Sequence, residues 1–169
     1  MRFVYRAGAC ALTLSLAAGC SMPRQAPDAA PPAPAAAQAP AQPEPCRPAG
    51  QSPLVGNWYS VSKQAGIKGE MRRLLVLQED GSFRSETRHH DGRNLRAELR
   101  ETGCWETAGN TYTTRVTHSN GEAVDAGDPI YRNTYRVEKV GATQLVTRED
   151  VPGARPVTAR KMPPGYRMP

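Results

Sequence analysis

Three histidines, four cysteines and six tyrosines are the residues of this 169-residue chain best suited to binding or catalysis. His89 and His90 are adjacent, and in an extended strand neighbours point to opposite faces, so the pair cannot chelate one ion. Parity instead groups His89 with His118, each at the end of an alternating run and each on its inward side. Tyr112 and Thr114 share that side in one run, and Tyr131, Asn133 and Tyr135 share it in the next. Imidazole, amide and phenol groups converging among apolar walls are what a cup for a small, partly apolar ligand requires. The competing reading is a narrow barrel filled by its own side chains. Catalysis has little to build on. Glu101 has inward parity, but no second carboxylate stands at a spacing suited to acid–base pairing, so it is expected to pair with Arg73 or to lie beside a bulge at Gly103. There is no Gly-x-Ser-x-Gly, phosphate loop or Cys-x-x-Cys. The sequence predicts no enzyme, no cofactor and no metal site.

The elements that must position these groups are strands. After Gly50 no stretch keeps a helical period, and short runs of period-two alternation recur between glycine turns. Strands are expected near 55–62, 70–78, 82–89, 93–107, 111–118, 130–139, 143–149 and 156–162. Eight consecutive strands make an all-β, antiparallel, up-and-down barrel, with a two-sheet sandwich as the competitor. Phe83, Ser85, Thr87 and His89 share one face of their strand, and Leu95, Ala97 and Leu99 share one face of the next. Charged residues occupy the opposite faces. A three-residue loop at His90-Asp91-Gly92 keeps both apolar faces inward and sets Arg84 against Glu98 and Glu86 against Arg96. The same device at Glu79-Asp80-Gly81 sets Leu77 against Phe83 and Leu75 against Ser85. Connections near 79–81, 108–110 and 140–142 are short, and those at 63–69, 119–129 and 150–155 are longer. The barrel then has one closed end and one looped mouth.

What precedes the barrel reads as an address and a spacer. Arg2 and Arg6 flank a basic start, followed by a short apolar stretch from Ala7 to Ala18, the pattern of a secretory leader. Leu16-Ala17-Ala18-Gly19-Cys20 resembles the lipobox of bacterial lipoproteins. That resemblance implies cleavage before Cys20, lipidation of Cys20 and, with Ser21 following it, an outer-membrane anchor with the domain facing the periplasm. Residues 1–19 are then the leader, 20–50 the lipidated N-terminus and linker, 51–162 the barrel and 163–169 a tail. Between Pro23 and Ala49, 19 of 27 residues are Pro or Ala, which leaves no apolar period to bury and predicts a disordered, extended tether. Loss of the leader leaves 20 basic residues against 16 acidic ones, interleaved along strand faces rather than massed. Such a surface is a solvated, ion-paired wall rather than a nucleic-acid footprint.

Leu54-Val55-Gly56-Asn57-Trp58-Tyr59 opens the first strand, and its Gly56-x-Trp58 resembles the signature of lipocalins and lipocalin-like bacterial domains. The resemblance implies a lipocalin-like barrel in which Trp58 plugs the closed end and a cation on the last strand, here Arg160, packs across it. Gly103-Cys104-Trp105 repeats the pattern, with Trp105 inward and Cys104 outward at the same end. Cys10 leaves with the leader and Cys20 carries lipid, so Cys46 and Cys104 remain in a disulfide-permissive compartment. A Cys46–Cys104 bridge is expected, against free thiols or pairing between molecules. Two functions follow as expectations. One is a lipid-anchored module binding a small ligand at the mouth through His89, His118, Tyr112, Tyr131, Asn133 and Tyr135. The other is a structural or protein-interaction lipoprotein of the envelope with a filled barrel.

Overall fold

A computed structural model describes residues 44–64 and 66–168. The leader, Cys20 and the linker up to residue 43 lie outside the described residues. Nine strands follow in order: β1 (Gly56–Ser62), β2 (Glu70–Leu77), β3 (Ser82–Asp91), β4 (Asn94–Ala108), β5 (Thr111–Ser119), β6 (Glu122–Ala123), β7 (Arg132–Val140), β8 (Gln144–Glu149) and β9 (Val157–Met162). The sheet order is β4-β3-β2-β1-β9-β8-β7-β5-β6, and a further β4–β5 pairing closes it. Every pairing is antiparallel. The result is a closed eight-stranded barrel with the two-residue β6 added on β5, and closure disposes of the sandwich alternative. One 3-10 turn, Pro129–Tyr131, enters β7, its N-terminus capped by the Asp128 carboxylate.

The interior is built by the parity expected of the strands. Trp58, Leu75, Leu77, Phe83, Trp105, Tyr112, Val116, Tyr135, Leu145 and Ala159 form one buried cluster, with Leu54 beneath it. Leu77 faces Phe83 and Leu75 faces Ser85 across the Glu79-Asp80-Gly81 turn, as anticipated. The Asp80 carboxylate fixes that turn by accepting from the Ser82 backbone N–H at 2.8 Å and its hydroxyl at 2.7 Å.

The β3–β4 register differs from the expected one. Asp91 pairs with Asn94, so the turn is Gly92-Arg93, and the parity correction comes from a bulge that leaves Arg96 unpaired. Glu86 therefore faces Arg100 and Arg88 faces Glu98, still opposite in charge but four residues along. The bulge also turns Leu95 outward, opposite His90, where it is 50% exposed. Ala97 and Leu99 keep the inward side. A second bulge, at Thr117 in β5, is accommodated beside Gly103, where any Cβ would strike the carbonyl oxygen of Arg115.

The two ends of the described chain are fastened to the barrel. Cys46 is disulfide-bonded to Cys104. The backbone N–H groups of Ala49 and Gly50 both donate to the Glu79 carbonyl, and Leu54 enters the core beneath Trp58. The C-terminal residues run back along the outside of the wall. Tyr59, Leu74 and Val76 face outward yet are buried, because Met168 and Tyr166 cover them. Tyr166 packs on Tyr59 with ring centroids 5.7 Å apart.

Candidate functional site

The closed end is built around two indoles. Trp58 donates from Nε1 to the Leu54 carbonyl at 2.7 Å, and Trp105 donates from Nε1 to the Gln78 carbonyl at 2.9 Å, so each polar edge is satisfied where it is buried. The cation over Trp58 is Lys161, whose amine lies 5.1 Å from the ring centroid. Arg160, expected in that role, is exposed and pairs with Tyr59 on the outer face. The register decides this: Trp58 faces Lys161, and the inward parity of β9 runs through Val157, Ala159 and Lys161. Gly56 has φ +139, and a Cβ there would meet the Lys161 side chain at 2.8 Å. The glycine of the Gly-x-Trp pattern thus leaves the space through which the lysine stem crosses the indole.

Midway up the barrel the interior turns polar. Arg73 enters from β2 and donates to the Tyr135 hydroxyl at 3.0 Å, with its guanidinium 5.5 Å from that ring's centroid. Tyr135 stacks on Tyr112 at 4.9 Å with an 18° interplanar angle. Burial works against the Arg73 charge, but Tyr135, Tyr112 and Glu101 outweigh it and hold its pKa above that of an ordinary guanidinium. Burial likewise pushes the Tyr112 phenol up, partly opposed by Arg73. Ser85 donates to Glu101 at 3.1 Å. Two polar atoms in this layer, Arg73 Nε and Thr114 Oγ1, are buried without a partner.

The expected mouth residues divide. Tyr112 and Tyr135 stand face to face in the interior, and Asn133 pairs with Thr114 beside them. Tyr131 lies in the 3-10 turn rather than in a strand, and packs against the core from the mouth. His89 is spent on the β1–β2 loop beside it: its Nε2 is 2.8 Å from the Lys68 carbonyl. His118 is not part of the group. The Thr117 bulge pairs it with outward-facing Thr102 and so turns it to the outer face, where its Nδ1 lies 3.1 Å from the Thr117 hydroxyl. Among the described residues no group of three or more His, Cys, Asp or Glu is placed to hold a metal ion. No known family model and no curated protein matches this chain.

Two cavities of the described residues lie elsewhere. A groove of about 630 Å³ runs along the outer wall between the C-terminal residues and β2, β3 and β4. A shallower hollow of about 410 Å³ lies among the loops, lined by Lys63, Ile67, Glu70 and His90. Neither is lined by His118, Tyr131, Asn133, Tyr112 or Tyr135. Sequence reasoning named Arg73 only as a partner for Glu101, and it missed Lys161 and the covering role of Tyr166 and Met168. A signal for the last was present: Leu74-Leu75-Val76-Leu77 is a continuous apolar run, the pattern of a strand buried on both faces.

Proposed function

We propose that this chain is a non-catalytic lipoprotein of the bacterial cell envelope. In this reading lipid on Cys20 anchors it in the outer membrane, the Pro/Ala stretch is a tether in the periplasm, and the barrel is a filled scaffold that presents its looped end to a protein partner. One observation carries the last part. The interior is occupied by the protein's own indoles, phenols and Arg73, while the exposed large apolar side chains gather at the looped end. Of six such residues among those described, Ile67, Ile130 and Val151 stand in mouth loops and Leu95 stands in the β3–β4 hairpin. Exposed apolar side chains clustered at one end of a molecule are a recognised mark of an interaction surface. The described chain enters the barrel at the other end, at Cys46 and Leu54.

The reading is tested by site-specific photo-crosslinking in cells. A crosslinker at position 67, 130 or 151 is expected to trap one protein of defined mass, and one at position 160 on the side wall is not. Ile130→Ser with Val151→Ser is expected to abolish the product. Equal trapping from rim and wall, or none from the rim, defeats the proposal. Cys20→Ser, expected to lose both palmitate labelling and membrane fractionation, tests the anchor separately.

A second reading, a small ligand held inside the mouth, has one observation in its favour: the partnerless Arg73 Nε and Thr114 Oγ1. Buried donors without acceptors are costly, and a bound molecule relieves that cost. Native mass spectrometry of the purified chain distinguishes the readings, since a co-purified ligand lost in Arg73→Leu belongs only to this one.

A further inference from the structure

The outer-wall groove combines two kinds of lining that do not ordinarily meet on the outside of a barrel. Its floor is apolar, made by Leu74 and Val76 of β2 and by Met168 and Tyr166 of the C-terminal segment. Its charged lining is predominantly basic, with Arg84, Arg88, Arg100 and Arg167 converging from β3, β4 and the tail against the carboxylates of Glu86 and Glu101. Arg88 and Arg100 are tied to carboxylates: Arg88 to Glu86 at 2.6 Å and to Glu98 at 3.2 Å, and Arg100 to Glu98 at 2.9 Å. Arg84 and Arg167 make no ion pair among the described residues, and both are exposed. The volume of about 630 Å³ falls within the range of small-molecule sites, roughly 300–1,000 Å³. The backbone carbonyl of Met168 accepts from Arg88 at 3.4 Å, so one wall of the groove is held in place by the same arginine row that forms its rim.

We propose that this groove binds an anionic phospholipid, with an acyl chain against Leu74, Val76, Tyr166 and Met168 and the phosphate between Arg84 and Arg167. Charge complementarity selects the occupant. An uncharged apolar molecule leaves both arginines idle, and a compact anion leaves the apolar floor wet. Guanidinium groups in a pair suit phosphate oxygens because each presents a fork of N–H donors. The site shares no residue with the exposed apolar side chains of the mouth rim and is not lined by Tyr112 or Tyr135, although Ser85 and Glu101 of the polar interior layer reach its lining.

The test uses the full chain carrying Cys20→Ser, which removes the lipid and alters nothing in the described residues. Dihexanoyl phosphatidylglycerol, below its micelle concentration, is titrated against the ¹⁵N-labelled protein. Saturable amide shifts at Leu74, Val76, Thr102 and Gly165 are expected. Binding is expected to weaken at least tenfold in Arg84→Ala with Arg167→Ala, and to be at least tenfold weaker for dihexanoyl phosphatidylcholine. Both arginine side chains are exposed, so an unchanged urea midpoint in the double variant shows that the loss is local. The proposal is overturned by the absence of saturable binding, by equal binding of the zwitterionic lipid, by binding that survives the double substitution, or by inorganic phosphate alone reproducing the shifts.

Discussion

Lys161 and Arg160 are adjacent cations on the same strand, and only the inward one reaches Trp58. A cation over an indole contributes about 1 kcal/mol at a partly exposed site. Lys161→Ala is therefore expected to lower the unfolding free energy, read by urea titration, by that amount, and Arg160→Ala to change it by less than about 0.5 kcal/mol, as exposed substitutions do. Equal effects in the two variants would show that the contact does nothing. Tyr112 makes a prediction of a different kind. It is 2% exposed and stacked on Tyr135, and burial, partly opposed by Arg73, holds its phenol proton above the ordinary tyrosine range. In the unfolded chain a tyrosine ionises near pH 10. Above that pH the unfolded state binds fewer protons than the folded one, so stability falls as pH rises, by up to roughly 1.4 kcal/mol per pH unit for this one group. Urea midpoints followed from about pH 8 to about pH 11.5 are expected to fall more steeply in the wild type than in Tyr112→Phe. Parallel curves in the two proteins would remove Tyr112 from the alkaline transition.

At the scale of the strand, what was legible in the sequence was the period and what was not was the bulge. Alternation identified all eight barrel strands, the inward Phe83 and the turn that sets Leu77 against Phe83, while Trp58 was placed by its Gly-x-Trp pattern and the arrangement of the loops. One unpaired residue reverses every face beyond it. Arg96 does this in β4 and sends Leu95 outward, and Thr117 does it in β5 and sends His118 outward. Arg96 carries no local composition that marks its bulge, whereas the second is signalled by a glycine, but on the facing strand. Gly103, which admits the carbonyl of Arg115, is a residue of β4 rather than of the bulged β5. The tail failed for another reason. Pro163 to Met168 has no period, so only the unbroken apolar run in β2 announced that something must cover it. Tyr166→Ala with Met168→Ala uncovers Tyr59, Leu74 and Val76, and is expected to cost about 2–4 kcal/mol in total, toward the low end of core truncations because the site is at the surface. Increased binding of a fluorescent hydrophobic dye accompanies the loss. An unfolding free energy within about 0.5 kcal/mol of wild type would mean that the tail rests on the wall without stabilising it.

For the whole molecule the question is what holds a barrel of mostly short strands shut. Neighbouring strands pair across short connections almost everywhere, and only the β1–β9 seam joins residues about a hundred positions apart, Trp58 with Lys161 and Ser60 with Ala159. The disulfide does not cross that seam. It links Cys46, ahead of β1, to Cys104 in β4, and closes a loop of 58 residues containing the first three strands. In the chain-entropy account a loop of that length contributes about 4 kcal/mol by restricting the unfolded chain, a large share of the roughly 5–15 kcal/mol that a domain possesses. Topology and staple are therefore separable. The backbone ladders close the barrel without the bridge, and the bridge sets how much denaturant the barrel survives. Reduction, or Cys46→Ala with Cys104→Ala, is expected to leave the far-ultraviolet circular dichroism of the native state unchanged while lowering unfolding free energy by about 4 kcal/mol. The segment ahead of Leu54 then becomes more open to protease, held by the two bonds from Ala49 and Gly50 to Glu79 and by the packing of Ala49 against the core. A reduced protein that loses its strand signal in the absence of urea would show that closure itself depends on the bridge. An unmoved midpoint would show that Leu54 and those two backbone bonds already restrain the entering chain as tightly as the sulfur atoms do.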